Sequence, residues 1–564
     1  MYFWKKKTSL ITMKIFRLLI LVILVAGFTS CHHEANSDPA ASHNILDDFK
    51  GKQFSGLLGD KFIWVDAVDF RDDTLTGNYI IQHKGAIVTR MPFSIYLKAD
   101  SRVFLSSPDH KGEVDVKSLS VGEGVELVIV KKRKILWIIP AGKKEVTLKL
   151  NPYRMVKTPV LEGRYEKDLF PEMRIQKDVV YGEADGYWTS FYGGEMSYWE
   201  ILSKGTREAM RTRDLPLLMD VYLPEGDTLK SRPLLVLIHG GGFYVGDKGE
   251  PTYIALAHNF VRKGYVVASI NYRMGFRISS KEVERAGYRA VQDARAALRF
   301  LSSHSDEYGI DPECVYLAGS SAGAITALNV AFMDEDERPE AVSGGIFKDD
   351  LGPLDSAGNS LIADYKVKAV INMWGAVDNT GIIDDDEQIA LMHFHGDSDR
   401  IVPYGCGVPF ENVGGRWNKW LMPEMCGSAG IHDVVTGKSW NSELITFENM
   451  GHMPHLNPDK SFNENFDTIM DRSGSFFYQN TAGEEVRIIG DLRCRARQDR
   501  CNYSLSENNF NVKNWSVTGG IIASYYGDSV DVLWFRDENI HEVHCQLMNQ
   551  YGAVVNIEAE VKVP

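Results

Sequence analysis

The chain has 564 residues, 44% of them apolar and 24% charged, with a formal net charge of -14 at pH 7. That length exceeds what one ordinary core can serve and points to about three folded units. The acidic balance, with no long Lys/Arg stripe, excludes phosphate-backbone recognition, so no nucleic-acid partner is expected.

The N-terminus reads as an address. Lys14 and Arg17 precede an apolar run at residues 18–26, and Phe28-Thr29-Ser30 then lead to Cys31. These are the charged, apolar and small-residue parts of a secretory signal, with Met13 as a second candidate start. The apolar run is short for a transmembrane helix. The small residues before Cys31 resemble a bacterial lipobox, with Phe28 in place of the usual Leu. That resemblance implies cleavage of residues 1–31 before a lipidated Cys31, a polar tether at 32–44, and an exported protein anchored to a bacterial membrane.

Six further cysteines stand at 314, 406, 426, 494, 501 and 545. In an exported chain disulfides can form, and Cys406 with Cys426 or Cys494 with Cys501 are the nearest pairs, but spacing alone does not fix connectivity. No C-x-x-C or Cys/His cluster offers metal-ligand spacing, so neither metal nor other cofactor is expected.

Residues 45–165 carry short β-like runs, among them Phe62-Ile63-Trp64-Val65 and Tyr79-Ile80-Ile81, separated by Gly, Asp, Asn, Ser and Pro clusters. They predict an all-β module whose aromatics belong to its core. Its basic run, residues 131–134, lies between two apolar stretches and is expected to be a solvated hairpin turn. From 166 to 482 strands alternate with helices. Leu234-Leu235-Val236-Leu237-Ile238 is continuously apolar, as in a parallel strand covered on both faces. A helix is expected at 253–263 and another at 283–304, where Val291, Ala294, Leu298 and Leu301 share a face. Strands at 315–319, 367–373, 389–394 and 444–447 complete a doubly wound, mostly parallel α/β domain. Residues 483–564 turn β-like again. Trp515, Cys545 and Asn549-Gln550-Tyr551-Gly552 resemble the core Trp, F strand and F–G turn of an immunoglobulin-like or PKD-like sandwich.

The chemistry gathers in the α/β segment. A G-x-S-x-G stretch at 319–323 follows an apolar run and leads into small residues, the setting in which a serine is presented at a tight strand-to-helix turn. His239-Gly240-Gly241-Gly242 follows the apolar strand at 234–238. Consecutive glycines let backbone N–H groups approach a developing oxyanion, which makes Gly241, Gly242 and Ala322 the candidate donors. A serine needs a base, and the base needs an acid to fix its tautomer. His395-Gly396-Asp397-Ser398-Asp399 and Gly451-His452-Met453-Pro454-His455 lie after successive apolar strands, where the catalytic loops of parallel sheets collect.

Taken together, H-G-G-G, G-x-S-x-G, G-x-x-D-x-x-V-P and G-H occur in the order found in α/β-hydrolases of the carboxylesterase kind, and the segment at about 179–477 resembles that family. The resemblance implies Ser321 as nucleophile, Asp399 as acid and His452 as base. Asp397 competes for the acid, but the spacing to Val402-Pro403 favours Asp399; His455 lacks the preceding glycine; His239 is expected to be structural. It also implies two-step acyl transfer on an ester substrate, with similarity to feruloyl and acetyl esterases that act on polysaccharides. Substrate selection is expected in the inserts at 334–364 and 404–440, the second carrying Trp417, Trp420, Met422 and Met425. A serine peptidase of the same fold, a lipase and an inactive hydrolase-like binding protein remain as alternative readings.

Overall fold

A computed structural model describes residues 50–563 apart from 192–206, 210, 278, 346–347, 411–423, 484, 495–499, 536–537 and short interruptions within 59–154. Cys31 and the address segment lie outside the described residues, as do Trp417, Trp420 and Met422. The chain forms two compact units. One comprises residues 1–159, 485–547 and 556–564, the other 160–484 with 548–555.

In the first unit, eight strands between Gln53 and Leu150 pair antiparallel in one sheet. Trp64, Tyr79 and Phe93 are buried, so these aromatics fill a core. Of the basic run, Arg133 and Lys134 are among the described residues, and they do not lie in the turn expected there. Arg133–Ile135 is a strand, paired antiparallel with Ile139–Ala141. Among the described residues, the C-terminal segment contributes seven strands in two sheets. In chain order the first, second, fifth and fourth form one sheet, and the third, sixth and seventh the other. Trp515 and Cys545 are buried there. Cys494 is bonded to Cys501, whereas Cys545 is a free, buried thiol.

The second unit is built on a mixed sheet of β1 (Met173–Gly186), β2 (Arg213–Pro224), β3 (Arg232–Ile238), β4 (Val266–Ile270), β5 (Ile310–Ser320), β6 (Val367–Met373), β7 (Ala390–Gly396) and β8 (Ser442–Phe447). The order is β1-β2-β4-β3-β5-β6-β7-β8, with β2 antiparallel to both neighbours and the pairs beyond it parallel. Every residue of β3 is buried, which explains the unbroken apolar run at 234–238. Leu234, Val236 and Ile238 point to one core, and Leu235 and Leu237 to the other. Helices α1 (Pro251–Arg262) and α5 (Glu464–Ala482) cover the Leu235 side. Helices α2 (Ser280–Ser303), α3 (Ala322–Phe332) and α4 (Ser428–Gly437) cover the Leu234 side. The α/β domain expected from alternating strands and helices is thus present. One feature differs in detail: β1 had no counterpart in the sequence reading.

Candidate functional site

The C-terminal ends of β3, β5, β7 and β8 converge, as the crossover rule for open parallel sheets requires. Ser321 sits between β5 and α3 with φ 51° and ψ -120°, a conformation that costs a non-glycine residue about 1–3 kcal/mol. The close packing of the turn explains its glycines. A Cβ on Gly319 would stand 2.3 Å from the Gly323 carbonyl oxygen, and one on Gly323 would stand 2.0 Å from that of Ile238. Larger residues would push the turn off β3. Ser321 N–H donates to the Met373 carbonyl at 2.9 Å, which ties the elbow to the end of β6.

His452, on the loop after β8, reaches Ser321 Oγ through Nε2 at 3.0 Å and Asp399 Oδ2 through Nδ1 at 2.7 Å. Because the carboxylate accepts, Nδ1 carries the proton and Nε2 is left to accept from the serine hydroxyl. The other carboxylate oxygen of Asp399 accepts from Ile401 N–H at 2.8 Å and Val402 N–H at 3.2 Å. Burial pushes the Asp399 carboxyl up, but hydrogen bonds from His395, His452 and Ile401 N–H outweigh it and hold the group well below the usual carboxylate range. It is therefore charged at any working pH. Ser321 and His452 are half-buried, so solvent and small molecules reach them.

The structure thus brings Ser321, Asp399 and His452 together, and leaves their competitors elsewhere. Asp397 is exposed and accepts from Asn449 N–H at 2.7 Å, capping the loop that carries the histidine. His455 stacks on Trp374 at 4.8 Å and meets Thr252 Oγ1 at 3.2 Å. Its burial, with the neighbouring His452, pushes its pKa down to about 4. His239 is fully buried and stacked on Tyr272; burial lowers it to about 4, too weak a base for work at neutral pH.

The glycine loop after β3 lies against the elbow. A Cβ on Gly240 would stand 2.8 Å from the Ser320 carbonyl oxygen. Gly241 has φ +107° and Gly242 φ +61°, so the backbone turns in a way that larger residues resist. The Gly241 carbonyl accepts from Tyr244 and Val245 N–H, closing the loop. Among the described residues, none takes a backbone hydrogen bond from the N–H of Gly241, Gly242 or Ala322. Two supports were not visible in the sequence: Tyr253 accepts from Gly240 N–H at 2.9 Å, and its hydroxyl meets Ser320 Oγ at 2.7 Å. Helix α1 is thereby bonded to the loop and to the elbow at once. Tyr253 stood at the start of a predicted helix, but nothing local marked what its hydroxyl would meet.

Of the two inserts, 334–364 is pinned to α2. Arg285 donates to the Ala341, Val342 and Asp349 carbonyls, and Gln292 to those of Leu351 and Pro353. In the other, Cys406 is bonded to Cys426, on two short strands that pair antiparallel.

Comparison with known proteins finds partial matches to esterase sequences. The BD-FAE family matches residues 219–390. The chain is 34% identical over 97 residues to gut esterase 1 of Caenorhabditis briggsae, covering 17% of either chain. It is 31% identical over 132 residues to para-nitrobenzyl esterase of Bacillus subtilis, covering 22% of this chain and 26% of that one. The chain thus spans only 17% and 26% of the lengths of these two relatives. Among solved structures, Thermogutta terrifontis esterase 2 aligns at 18% identity over 46% of this chain and 88% of that one, with a TM-score of 0.32. An alpha/beta hydrolase from a Medee basin deep-sea metagenome library, MGS-M1, aligns at 15% identity over 55% and 98%, also with a TM-score of 0.32.

Proposed function

We propose that this chain is a serine carboxylic-ester hydrolase of the α/β-hydrolase type, acting through an acyl-enzyme. The observation that carries the reading is the continuous line from Asp399 through His452 to Ser321, at 2.7 and 3.0 Å, beside a loop of backbone donors. The BD-FAE match and the esterase relatives support it.

His452 Nε2 takes the hydroxyl proton as Ser321 Oγ attacks the ester carbonyl, and Asp399 stabilises the imidazolium that forms. The carbonyl oxygen, now negative, receives N–H bonds from Gly241, Gly242 and Ala322. His452 returns the proton to the departing alcohol. Water then enters, gives its proton to His452 and cleaves the acyl-serine bond by the same steps in reverse. Since the base must be neutral to accept the hydroxyl proton, kcat/KM falls under acid conditions. The substrate class we propose is acyl or feruloyl esters, small or attached to polysaccharide. A panel of aryl esters and aminoacyl amides tests the reaction class: turnover confined to the esters is expected, and faster cleavage of the amides would make the chain a peptidase instead.

We further propose that the protein is exported and lipid-anchored through Cys31. The disulfides Cys406–Cys426 and Cys494–Cys501 support an oxidising compartment. Metabolic labelling with a lipid precursor should mark the wild type and not Cys31→Ala; label that survives the substitution contradicts the anchor. In the C-terminal segment, the order of its seven strands over four- and three-stranded sheets supports the immunoglobulin-like reading.

A further inference from the structure

Asp399 is held by a second histidine. His395, the penultimate residue of β7, places Nε2 3.3 Å from Asp399 Oδ2 and 3.3 Å from the Val402 carbonyl oxygen. Its Nδ1 lies 2.7 Å from Ser428 Oγ, at the first residue of α4. Both side chains are fully buried. Behind them stands Asn372 of β6, whose amide nitrogen is 3.2 Å from Ser428 Oγ and 2.9 Å from His393 Nδ1.

One fixed donor orients the whole chain of bonds. Gly375 N–H can only donate, and it lies 2.8 Å from the Asn372 side-chain oxygen. The Asn372 nitrogen therefore presents its two hydrogens to Ser428 and His393. Ser428 Oγ, accepting from Asn372, turns its own hydrogen to His395 Nδ1. Nε2 of His395 is left carrying the proton, facing a carboxylate and a carbonyl that both only accept. Neutral His395 is thus fixed as an N–H donor to the same carboxylate oxygen that receives His452.

We propose that His395 is a positioning residue for the reaction: held in its Nε2–H tautomer by Ser428, it keeps Asp399 in place and shares its negative charge. This rests on the esterase reading of the site. A carboxylate that already accepts from His395 holds the His452 imidazolium less firmly than an unshared one would. The balance favours return of the proton to the leaving alcohol. Among the described residues, the titratable groups around this pair are His395 and His452 on Asp399, Tyr404 with its ring edge-on to His395 at 5.7 Å, His455 near His452 across Trp374, and His393 with His432 beyond Asn372. Asp397 is turned away to Asn449 N–H.

The test is the pH profile of kcat/KM on an aryl ester for the full chain and three variants. His395→Met fills the space without a donor. It should lower kcat roughly 10- to 100-fold, as small misplacements of a catalytic group do, leave KM within about threefold, and move the acidic limb up by about 0.5–1 pH unit. His395→Gln can still offer an N–H near the Nε2 position and should retain wild-type kcat within about threefold, with the limb unmoved. Ser428→Ala removes one oxygen and leaves His395 Nδ1 without its donor, which loosens the ring, and should shift the limb in the same direction by less. If His395→Met does not fold, Ser428→Ala decides. An unmoved limb in Ser428→Ala, or equal losses in the Met and Gln variants, overturns the proposal. Failure of the esterase reading is separate: there the wild type hydrolyses no ester, or Ser321→Ala does so equally well.

Discussion

At the residue scale, three side chains were legible because each sits in a local pattern that its chemistry demands. Ser321 needs small neighbours at 319 and 323, and the contacts a Cβ would make there explain why. Asp399 and His452 follow apolar strands at spacings that resemble a known family. Asp399 also carries the sharpest consequence. Asp399→Asn keeps the size of the side chain but presents an N–H where His452 Nδ1 needs an acceptor, so the imidazole is driven into the wrong tautomer. An orienting carboxylate of this kind is worth about 10⁴ in kcat, and a loss of that order with KM nearly unchanged is expected from steady-state kinetics. A loss below tenfold would contradict the assignment. The residues the sequence did not disclose share a different property. Tyr253 meets Ser320 from 67 positions away, and His395 meets Ser428 from 33. Their roles depend on which elements the topology brings together, and no local window contains that.

At the scale of elements, legibility follows burial on both faces. The strand expected at 367–373 coincides with β6, and β3 was plain from five consecutive apolar residues. β1 was not, because it lies at the sheet edge and is mostly exposed or half-exposed along its 14 residues, leaving no apolar period to read. The basic run at 131–134 was read as a turn because charge usually marks solvent, yet part of it forms a strand. A strand needs backbone partners, and charged side chains do not prevent pairing. The loops at strand ends show the converse. Val402 and its neighbours approach α4 closely enough that a Cβ on Gly427 would stand 1.7 Å from the Pro403 carbonyl oxygen. Gly427 N–H donates to Gly405 and Ala429 N–H to Tyr404, while the Cys406–Cys426 bond closes the same corner. The acid loop is therefore bonded through its backbone to the helix that carries Ser428, and covalently to the strand just before it.

At the scale of the molecule, the linear reading expected modules at 45–165, 166–482 and 483–564, whereas compactness divides the chain into two discontinuous units. Composition marks boundaries along the chain and not in space, so residues 548–555 could not be assigned to the α/β unit in advance. There Asn549 donates to the Thr481 carbonyl at 2.6 Å, and Tyr165 donates to that of Tyr551 at 2.7 Å. What the molecule does turns on whether one serine among many is a nucleophile. Covalent labelling with a fluorophosphonate, which reports nucleophilicity without assuming a substrate, answers that directly. One adduct per chain, mapped by peptide mass to Ser321 and absent from Ser321→Ala, is the predicted result; equal labelling of the variant, or an adduct on another residue, would contradict it.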